Sequence, residues 1–504
     1  MGACALEEKR LPRCCRYTES IAVLILFLCL SAFFVLNASN ATSVLYPTHP
    51  VYELEKADQA TFTIMGRYWI EEDVLPYTGL FDHKGPMIFL LNGLGWALTD
   101  SVCGIAVVQS IFVCAYCLIA YATMRRNHRP GFSLTAVVFS LAMLRNVYGG
   151  GNTVEEFGLP FQMLSFLGLH RWAGSDKAEH SSRWAFLYGV SIAFFILNRA
   201  TDAFCICAGC IVVLIALLKA KAYRNILDNA LAGLLGVVLP ILPFAIYFAA
   251  NHALDAMWYG MIGYNMEYAG GASSFWMRGM SIKETIEVLI YCVPIWSILL
   301  TGIFAAYLGR WKKAGLYVFM GVVSVFYLFT SRFYDHYVIT YVPLFILAAC
   351  EFDWNRICKM HVLSRSVAAI AAVGMLAASS LLAVRMEWNT RYDYRWSFVS
   401  EEKPYDALMR AIPQDEMDSI VLYNCVASIY LKYDFRPAYT YFALQDWQGS
   451  QSVKLMGMIE EEFAGCEAKW VMTHGGTSPN IRSVLEKCYE PVMMQEKYVL
   501  YRRR

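Results

Sequence analysis

Long apolar stretches separated by short polar turns occupy residues 1–385 of this chain. Stretches of this length with few charges are typical of helices that cross a lipid bilayer. The stretch 86–99 is apolar but too short to cross, so we expect an interfacial or re-entrant helix there. We predict eleven membrane spans, at 21–38, 101–123, 131–147, 157–171, 184–198, 202–219, 229–251, 286–309, 313–331, 336–351 and 364–385.

Positive charges indicate how these spans are oriented. Lys and Arg residues cluster before the first span and after every even-numbered one, and cytoplasmic loops carry such an excess. The N-terminus is therefore predicted to be cytoplasmic, and we interpret the first span as an anchor because no small-x-small cleavage site follows it. The segments predicted outside are the loop 39–86, the turn near Glu155, the loop 252–285, the turn near Arg332 and the C-terminal tail.

The tail, residues 386–504, has a different pattern. SIVLYN, KWVMTH and KYVLYR predict short buried strands, while SVKLMGMIEEEF and SPNIRSVLEKC predict helices. We therefore expect an α-helical polytopic membrane domain over 1–385 and a small extracytoplasmic α/β domain over 386–504. The simplest role of the second domain is a lid or scaffold, and docking of an acceptor is the alternative.

Composition narrows the class of protein further. The chain has 504 residues, of which 58% are hydrophobic and only 16% charged, far from the balance of a soluble protein. Its net charge of +1 argues against a nucleic-acid partner. Most of its 16 cysteines lie inside apolar runs and fit helix contacts, whereas Cys425, Cys466 and Cys488 lie in the tail, where one pair could form a disulfide.

Several ionisable residues lie on the predicted outer side. Asp58 begins a helical pattern, DQATFTIMGRYWIEE, and Lys84 follows in the segment HKGP. Taken singly, Asp58 suits a helix N-terminus and Lys84 an interfacial lysine. Together they suggest chemistry on a phosphate, which needs cations, with a carboxylate as general base. The chain has no glycine-rich nucleotide loop on its cytoplasmic side, so a lipid-borne phosphate donor fits better than a soluble nucleotide sugar.

Two other outer segments contribute to this picture. Spans 3 to 5 have apolar runs of roughly 14 residues, about 21 Å of helix, against a hydrocarbon core of about 30 Å. Either these spans thin the membrane or their ends lie below its surface. In the second case the turn 145–157, with its glycine run, lies in a recess covered by protein or water. The loop 252–285 is rich in Trp, Tyr, Gly and Met, and we interpret it either as a flexible cover with a tip at Gly270–Gly271 or as an interfacial aromatic loop.

Three motifs occur in an order that resembles a known superfamily. They are ADQATF…GRYW…VLPYTGLFDHKGPMIFLLNGLG, then GGGNTVEEFGLPF, then SRFYDHYVITYVPLF. Over about residues 20–385 the chain resembles GT-C-type glycosyltransferases, in particular the bacterial protein O-mannosyltransferase-like family that includes the lipid A aminoarabinose transferase. The resemblance implies a polyprenyl-phosphate-linked sugar donor, an extracytoplasmic glycan, lipid or protein acceptor, and transfer with inversion in the plasma membrane of a bacterial cell.

The resemblance also implies roles for individual residues. Asp58 would be the catalytic base, with Glu155 or Glu156 as a second acid near the acceptor or the sugar. The residues implied for the donor phosphate are Lys84, His83, Arg332, His336, Tyr337 and Arg278.

The chain departs from its relatives at two positions. Gln59 stands where many of them have a second acidic residue, so we predict catalysis without a metal or other cofactor. His83 stands where the aminoarabinose enzymes have an acidic residue, which leaves the identity of the sugar open. There are two alternatives. One is a polyprenyl-lipid or sugar transporter, and the absence of repeated halves in the sequence argues against it. The other is a non-catalytic membrane scaffold.

Overall fold

The computed structural model describes residues 13–39, 57–270, 281–330, 333–353, 362–389 and 403–504. Helices make up almost all of its N-terminal three quarters. The α-helices there are α1 Arg13–Ala38, α2 Ala57–Glu71, α3 Pro86–Thr99, α4 Val102–Met124, α5 Pro130–Val147, α6 Val154–Ala173, α7 Ser182–Ile196, α8 Phe204–Lys219, α9 Tyr223–Ala250, α10 Leu254–Trp258, α11 Tyr264–Gly270, α12 Ile282–Tyr291, α13 Val293–Tyr307, α14 Trp311–Thr330, α15 Val342–Cys350 and α16 Val362–Asn389. Other helical turns are the 3₁₀ segments Ala200–Ala203 and Asp335–Tyr341 and the π segment Tyr259–Gly263.

Each of the eleven predicted spans contains helix, and the described residues include six helices long and apolar enough to cross a membrane. The multi-pass character of the chain follows from these helices, while the count of eleven stays a prediction. The span predicted over 286–309 is occupied by two helices, because α12 and α13 meet at a bend of 62°. Pro294 causes the break, because proline lacks an N–H and clashes with the preceding turn of a helix.

The predicted helices on either side of the outer loop are both present as α2 and α3. Their axes approach closely, because a Cβ on Gly66 would lie 2.4 Å from the carbonyl oxygen of Phe89. A Cβ on Gly93 would in turn lie 2.5 Å from the oxygen of Gly66. This pair of glycines brings the first turn of α2 over the start of α3, and so sets Asp58 beside the segment that precedes α3.

The C-terminal part of the chain forms the predicted small mixed structure. Its helices are α17 Pro404–Arg410, α18 Ser428–Lys432, α19 Gln445–Gly449, α20 Val453–Ala464 and α21 Pro479–Cys488, with a 3₁₀ turn at Gln414–Ser419. Its strands are β1 Ile420–Tyr423, β2 Trp470–His474, β3 Tyr489–Gln495 and β4 Tyr498–Arg503.

The strands lie in the order β1-β2-β4-β3, with β1 parallel to β2 and the other pairs antiparallel. The three predicted strands are confirmed, but the prediction omitted β3. That strand is mostly exposed and contains Pro491, so it carries neither the apolar run nor the alternation by which strands are recognised. A disulfide joins Cys466 to Cys488, and Cys425 is a buried free thiol.

The C-terminal sheet domain packs on the segment between α2 and α3. Arg67 Nη1 lies 2.6 Å from Asp434 Oδ1, and Arg436 Nη1 lies 2.9 Å from Glu72 Oε2. The backbone N–H of Phe81 donates to the oxygen of Thr440 at 2.9 Å. These contacts hold the sheet domain beside the segment that carries Lys84.

Candidate active site

Asp58 and Lys84, singled out in the sequence, lie together. Lys84 Nζ is 3.9 Å from Asp58 Oδ2 and 2.8 Å from His83 Nε2. Lys84 and His83 are each 8% exposed, whereas the side chain of Asp58 is 45% exposed. The ammonium is therefore held in place by its neighbours, while the carboxylate keeps an open side.

Hydrogen bonds to its main-chain groups fix the position of the segment HKGP. The N–H of Lys84 donates to Asp82 Oδ1 at 3.0 Å, and the hydroxyl of Tyr77 donates to the Lys84 carbonyl at 2.8 Å. The N–H of Gly85 donates to the oxygen of Asn198 at 2.8 Å, at the end of α7. Glycine is required here, because a Cβ on Gly85 would lie 2.1 Å from the oxygen of Leu197.

A second charged group surrounds Arg199, just beyond α7. Arg199 Nη2 lies 2.7 Å from Glu155 Oε1 and also pairs with Asp202. Its guanidinium carbon lies 3.8 Å from the ring centroid of Tyr337. His336 Nε2 lies 3.9 Å from Glu155 Oε1. The predicted residues Glu155, His336 and Tyr337 thus converge on an arginine that the predicted site set omitted.

Glu155 and Glu156, which the sequence left as alternatives, point to different surroundings. Glu156 Oε2 accepts from Gln109 Nε2 at 2.9 Å and from the N–H of Asn152 at 2.8 Å, and Oε1 accepts from the Tyr148 hydroxyl. Glu156 is fully buried in these contacts. Only Glu155 faces Arg199, so the structure places Glu156 in the support of the turn and Glu155 in the charged group.

The glycine turn is covered by protein, as the second of the two interpretations of spans 3 to 5 predicts. Gly149, Gly150 and Gly151 all have positive φ, of 59°, 96° and 69°. Gln59, the neighbour of Asp58, donates to the carbonyls of Gly149 and Gly151. The first turn of α2 is therefore anchored to this turn, which restricts the position of the Asp58 carboxylate.

An amide pair ties the turn to α3. Asn92 Nδ2 donates to Asn152 Oδ1 at 2.9 Å, and Asn152 Nδ2 donates back to Asn92 Oδ1 at 2.7 Å. The hydroxyl of Thr63 in α2 also donates to Asn92 Oδ1, at 3.2 Å. Three separate segments, α2, α3 and the glycine turn, are thus joined near Asp58 by polar groups that all have hydrogen-bond partners. A hydrogen-bond network of this kind makes a site rigid when every member is satisfied.

Electrostatics set the charges of the two best-placed titratable groups. Burial raises the pKa of Asp58, but the positive side chains nearby, Lys84 foremost, outweigh it and hold that pKa below its ordinary value. Burial, reinforced by Lys84, lowers the pKa of His83 to about 4. At neutral pH Asp58 is therefore ionised and His83 is neutral, with Nε2 accepting a hydrogen bond from the Lys84 ammonium.

The positive charges of His336 and Arg199 also lower the pKa of Asp58, so the two charged groups are electrostatically coupled. Arg278 and Arg332, predicted to bind phosphate, lie outside the described residues, as does the predicted loop tip at Gly271. Within the described part of the chain, no three His, Cys, Asp or Glu side chains are grouped to hold a metal ion. Arg199 carried one sequence signal, since it is a charged residue directly after an apolar span.

Neither family models nor curated protein sequences match this chain. Solved structures, in contrast, do match this chain. ArnT from Cupriavidus metallidurans bound to undecaprenyl phosphate superposes over 96% of this chain and 98% of its own, with a TM-score of 0.57 at 11% identity. The apo oligosaccharyltransferase from Archaeoglobus fulgidus superposes over 90% of this chain and 69% of its own, with a TM-score of 0.51 at 9% identity.

Both are GT-C membrane glycosyltransferases. This chain has the GT-C fold. The expectation about fold class drawn from the three sequence motifs is confirmed, and at these identities the likeness concerns the fold alone. The GT-C fold here includes the C-terminal sheet domain, because the superposition with ArnT covers nearly the whole of both chains.

Proposed function

We propose that this protein is an integral-membrane glycosyltransferase that moves a sugar from a polyprenyl-phosphate-linked donor to an acceptor hydroxyl outside the cytoplasm. One observation carries the proposal: an ionised, half-exposed carboxylate, Asp58, stands beside the buried ammonium of Lys84 in a chain with the GT-C fold. A base and a phosphate-binding cation are the two groups that such a transfer needs.

In the proposed reaction, Asp58 accepts the proton of the acceptor hydroxyl as its oxygen attacks the anomeric carbon of the sugar. The bond from that carbon to the phosphate oxygen breaks, and its electron pair stays on the phosphate. Attack from the face opposite the phosphate inverts the anomeric centre. The donor phosphodiester carries one negative charge and the departing polyprenyl phosphate gains a second, so cations near it stabilise the transition state.

Lys84 is the best-placed cation for that role. The neutral ring of His83 accepts one of its three N–H bonds, which orients the ammonium and leaves other protons for phosphate oxygens. His83 is therefore assigned here to positioning Lys84 rather than to binding phosphate directly. No residue of the proposed step requires a metal ion, and metal-independent catalysis stays part of the proposal.

Arg199 is proposed as the second phosphate cation, supported by Glu155. Its contact with Glu155 fixes the guanidinium and offsets part of its charge, and Tyr337 covers one face of the guanidinium plane. His336 Nε2 lies 3.9 Å from the same carboxylate. Glu155 thus acts in this scheme by holding cations.

Orientation is proposed from the charge pattern of the loops, with the N-terminus cytoplasmic and the sheet domain outside. The disulfide between Cys466 and Cys488 supports this placement, because disulfides persist in oxidising compartments. The cysteines within the apolar helices, such as Cys114 and Cys117, are free.

The test uses purified full-length protein, undecaprenyl-phosphate-linked sugars and a membrane extract as the source of acceptor, with release of undecaprenyl phosphate as readout. Asp58→Asn is expected to abolish turnover while expression and thermal unfolding stay as in the wild type. Asp73→Asn is the matched control, because Asp73 is an exposed carboxylate just after α2 and should be silent. Full turnover by Asp58→Asn would remove Asp58 as the base.

A further inference from the structure

Three aromatic rings stand beside His83, and they come from two parts of the chain. Tyr264 and Tyr268 belong to α11, whereas Trp447 belongs to α19 of the sheet domain. Their ring centroids lie 5.2 Å, 6.3 Å and 6.3 Å from that of His83, respectively. Tyr268 and Trp447 also contact each other, at 5.7 Å. We call these three residues the aromatic wall.

Members of the aromatic wall differ in burial. Tyr264 is fully buried, and its hydroxyl donates to the carbonyl of Gln448 at 3.2 Å. Tyr268 and Trp447 are only half-buried. Within the described residues the indole N–H of Trp447 has no hydrogen-bond partner, which distinguishes it from Trp470, whose N–H donates to Glu416 Oε2 at 2.7 Å. Tyr264 therefore supports the wall, and the other two rings keep part of their surface exposed.

The position of the wall relative to the cations limits what it can contact. His83 contacts the wall, and its Nε2 lies 2.8 Å from the Lys84 ammonium. In a glycosyl phosphate the sugar is bonded directly to the phosphate, so a phosphate bound at Lys84 places the sugar ring next to it. The centroids of the two half-buried rings each lie 6.3 Å from that of His83, which puts them in the neighbourhood that such a sugar would occupy.

Aromatic faces suit a sugar ring. A sugar carries hydroxyls around its edge and C–H groups on its faces, and the negative face of an aromatic ring attracts such C–H groups. Trp and Tyr combine this surface with a polar atom at the edge, which can meet a hydroxyl. Pockets for small ligands are lined in this way, by aromatic walls with few placed polar groups.

We propose that Tyr268 and Trp447 form the platform on which the sugar ring of the polyprenyl-phosphate donor stacks, so that the sheet domain takes part in selecting the sugar. This inference rests on the proposed function and deepens it. It goes beyond a lid or scaffold role for the sheet domain, because Trp447 then contacts substrate.

Docking of the sheet domain depends on other contacts. The rings of Phe81 and Tyr441 meet at 5.4 Å, and the hydroxyls of Tyr259 and Ser452 lie 3.1 Å apart. Tyr441 is buried, with 7% exposure, so it packs across the same interface without facing the site. Loss of Trp447 should therefore leave the domain docked, and Tyr441→Leu is the matched control for loss of docking.

The experiment measures steady-state turnover of the full-length protein with undecaprenyl phosphate carrying glucose, mannose or arabinose, using the sugar that the wild type turns over fastest. Sugar-free undecaprenyl phosphate serves as a competitor that reports phosphate and lipid binding alone. Trp447→Leu is expected to raise KM for the donor about tenfold, and Trp447→Phe much less. The inhibition constant of the sugar-free competitor should stay within about twofold of the wild-type value.

Tyr268→Leu carries the same test from a residue outside the sheet domain and covers the case in which Trp447→Leu does not fold. An unchanged donor KM in Trp447→Leu or Tyr268→Leu would overturn the platform. So would an effect confined to acceptor KM, or an equal rise in the inhibition constant of the sugar-free lipid. A wild type that turns over no sugar-linked undecaprenyl phosphate, these three or any other, would overturn the proposed function itself, and the platform with it.

Discussion

Two groups of charged side chains lie at opposite ends of α6, and they are built differently. Glu155 begins the helix beside Arg199, and His170 lies near its other end, about 22 Å away at 1.5 Å per residue. We call the residues around His170 the inner group and those around Asp58 and Arg199 the outer group. His170 Nδ1 is 2.7 Å from the Tyr317 hydroxyl and 3.6 Å from Glu351 Oε1.

The carboxylate of the inner group, Glu351, has several hydrogen-bond and ion-pair partners within the protein. Glu351 is 8% exposed in its side chain, pairs with Lys313 and with Arg310 at 3.1 Å, and accepts from the Tyr317 hydroxyl at 3.1 Å. Asp58 in the outer group is 45% exposed, and its nearest ammonium, at 3.9 Å, is beyond hydrogen-bond distance. Charges that satisfy one another join helices, whereas a carboxylate held near a cation but not bonded to it is available to a substrate.

After the loss of turnover expected for Asp58→Asn, the largest effect should come from Lys84→Met. Removal of one preorganised hydrogen-bond donor from the charge that develops in a transition state costs about 100- to 1000-fold in turnover, or about 2.7–4 kcal/mol. We expect a loss of this size in kcat/KM for the donor, with little change in the temperature of unfolding. Lys454→Met is the matched control, since that lysine lies over the Tyr259 ring on the same side of the protein. Equal losses of kcat/KM in Lys84→Met and Lys454→Met would show that the lysine of the outer group has no special role.

The inner group should respond in the opposite way. Glu351→Gln leaves Lys313 and Arg310 without their carboxylate, and breaking a buried pair from one side costs about 3 kcal/mol or more. We expect a lower temperature of unfolding in detergent and unchanged kcat/KM per folded molecule at a temperature where the variant is folded. A stable variant with impaired turnover would show that the inner group is not a structural element.

The sheet domain should also depend on its disulfide. The link closes a segment of 22 residues, and in the chain-entropy model a cross-link of such length contributes about 3.4 kcal/mol. Cys466→Ser should therefore unfold at a lower temperature, and the wild type should do so when a reductant is present. Cys425→Ser tests a buried free thiol of the same domain, and reductant should not change the difference between that variant and the wild type.

A further effect, seen only as the pH changes, should be a dependence of stability on pH that arises at His83. Its pKa falls from 6.5 in the unfolded chain to about 4 in the folded one. Between these values the unfolded state binds more protons, so the contribution of His83 is present above pH 6.5 and is lost as pH falls towards 4. We expect His83→Gln to flatten this part of the curve of unfolding temperature against pH. An identical slope in the variant would show that His83 is not buried in its neutral form.

Much of the fold was predictable from the sequence because its signals are local. Apolar length identified the helices, while the orientation indicated by the alternation of basic loops stays a prediction. The helix beginning at Asp58 and the apolar helix after Lys84 were both predicted. The bend before Pro294 was not, although proline near the middle of an expected span is a local sign of a break.

The site was predictable in part. Asp58 and Lys84 were recognised by residue type and order, and the structure brings them together. Arg199 was omitted from the predicted site because its place there depends on the contact with Glu155, a partner distant in sequence. Glu155 and Glu156 were inseparable because adjacent helix residues differ only in the direction in which the fold makes them point, and Gln109 and Arg199 decide that direction.

Gly85 links the two cations mechanically. Its N–H is bonded to Asn198, which directly precedes Arg199, and Met87 is bonded in the same way to Leu197 at 3.0 Å. Lys84 and Arg199 are thereby joined through a pair of main-chain hydrogen bonds that requires glycine at position 85. Neither of these two bonds involves the sheet domain. Under the proposed function, substitutions on the surface around Trp447 would therefore change the sugar contacts while the spacing between the two cations stays the same.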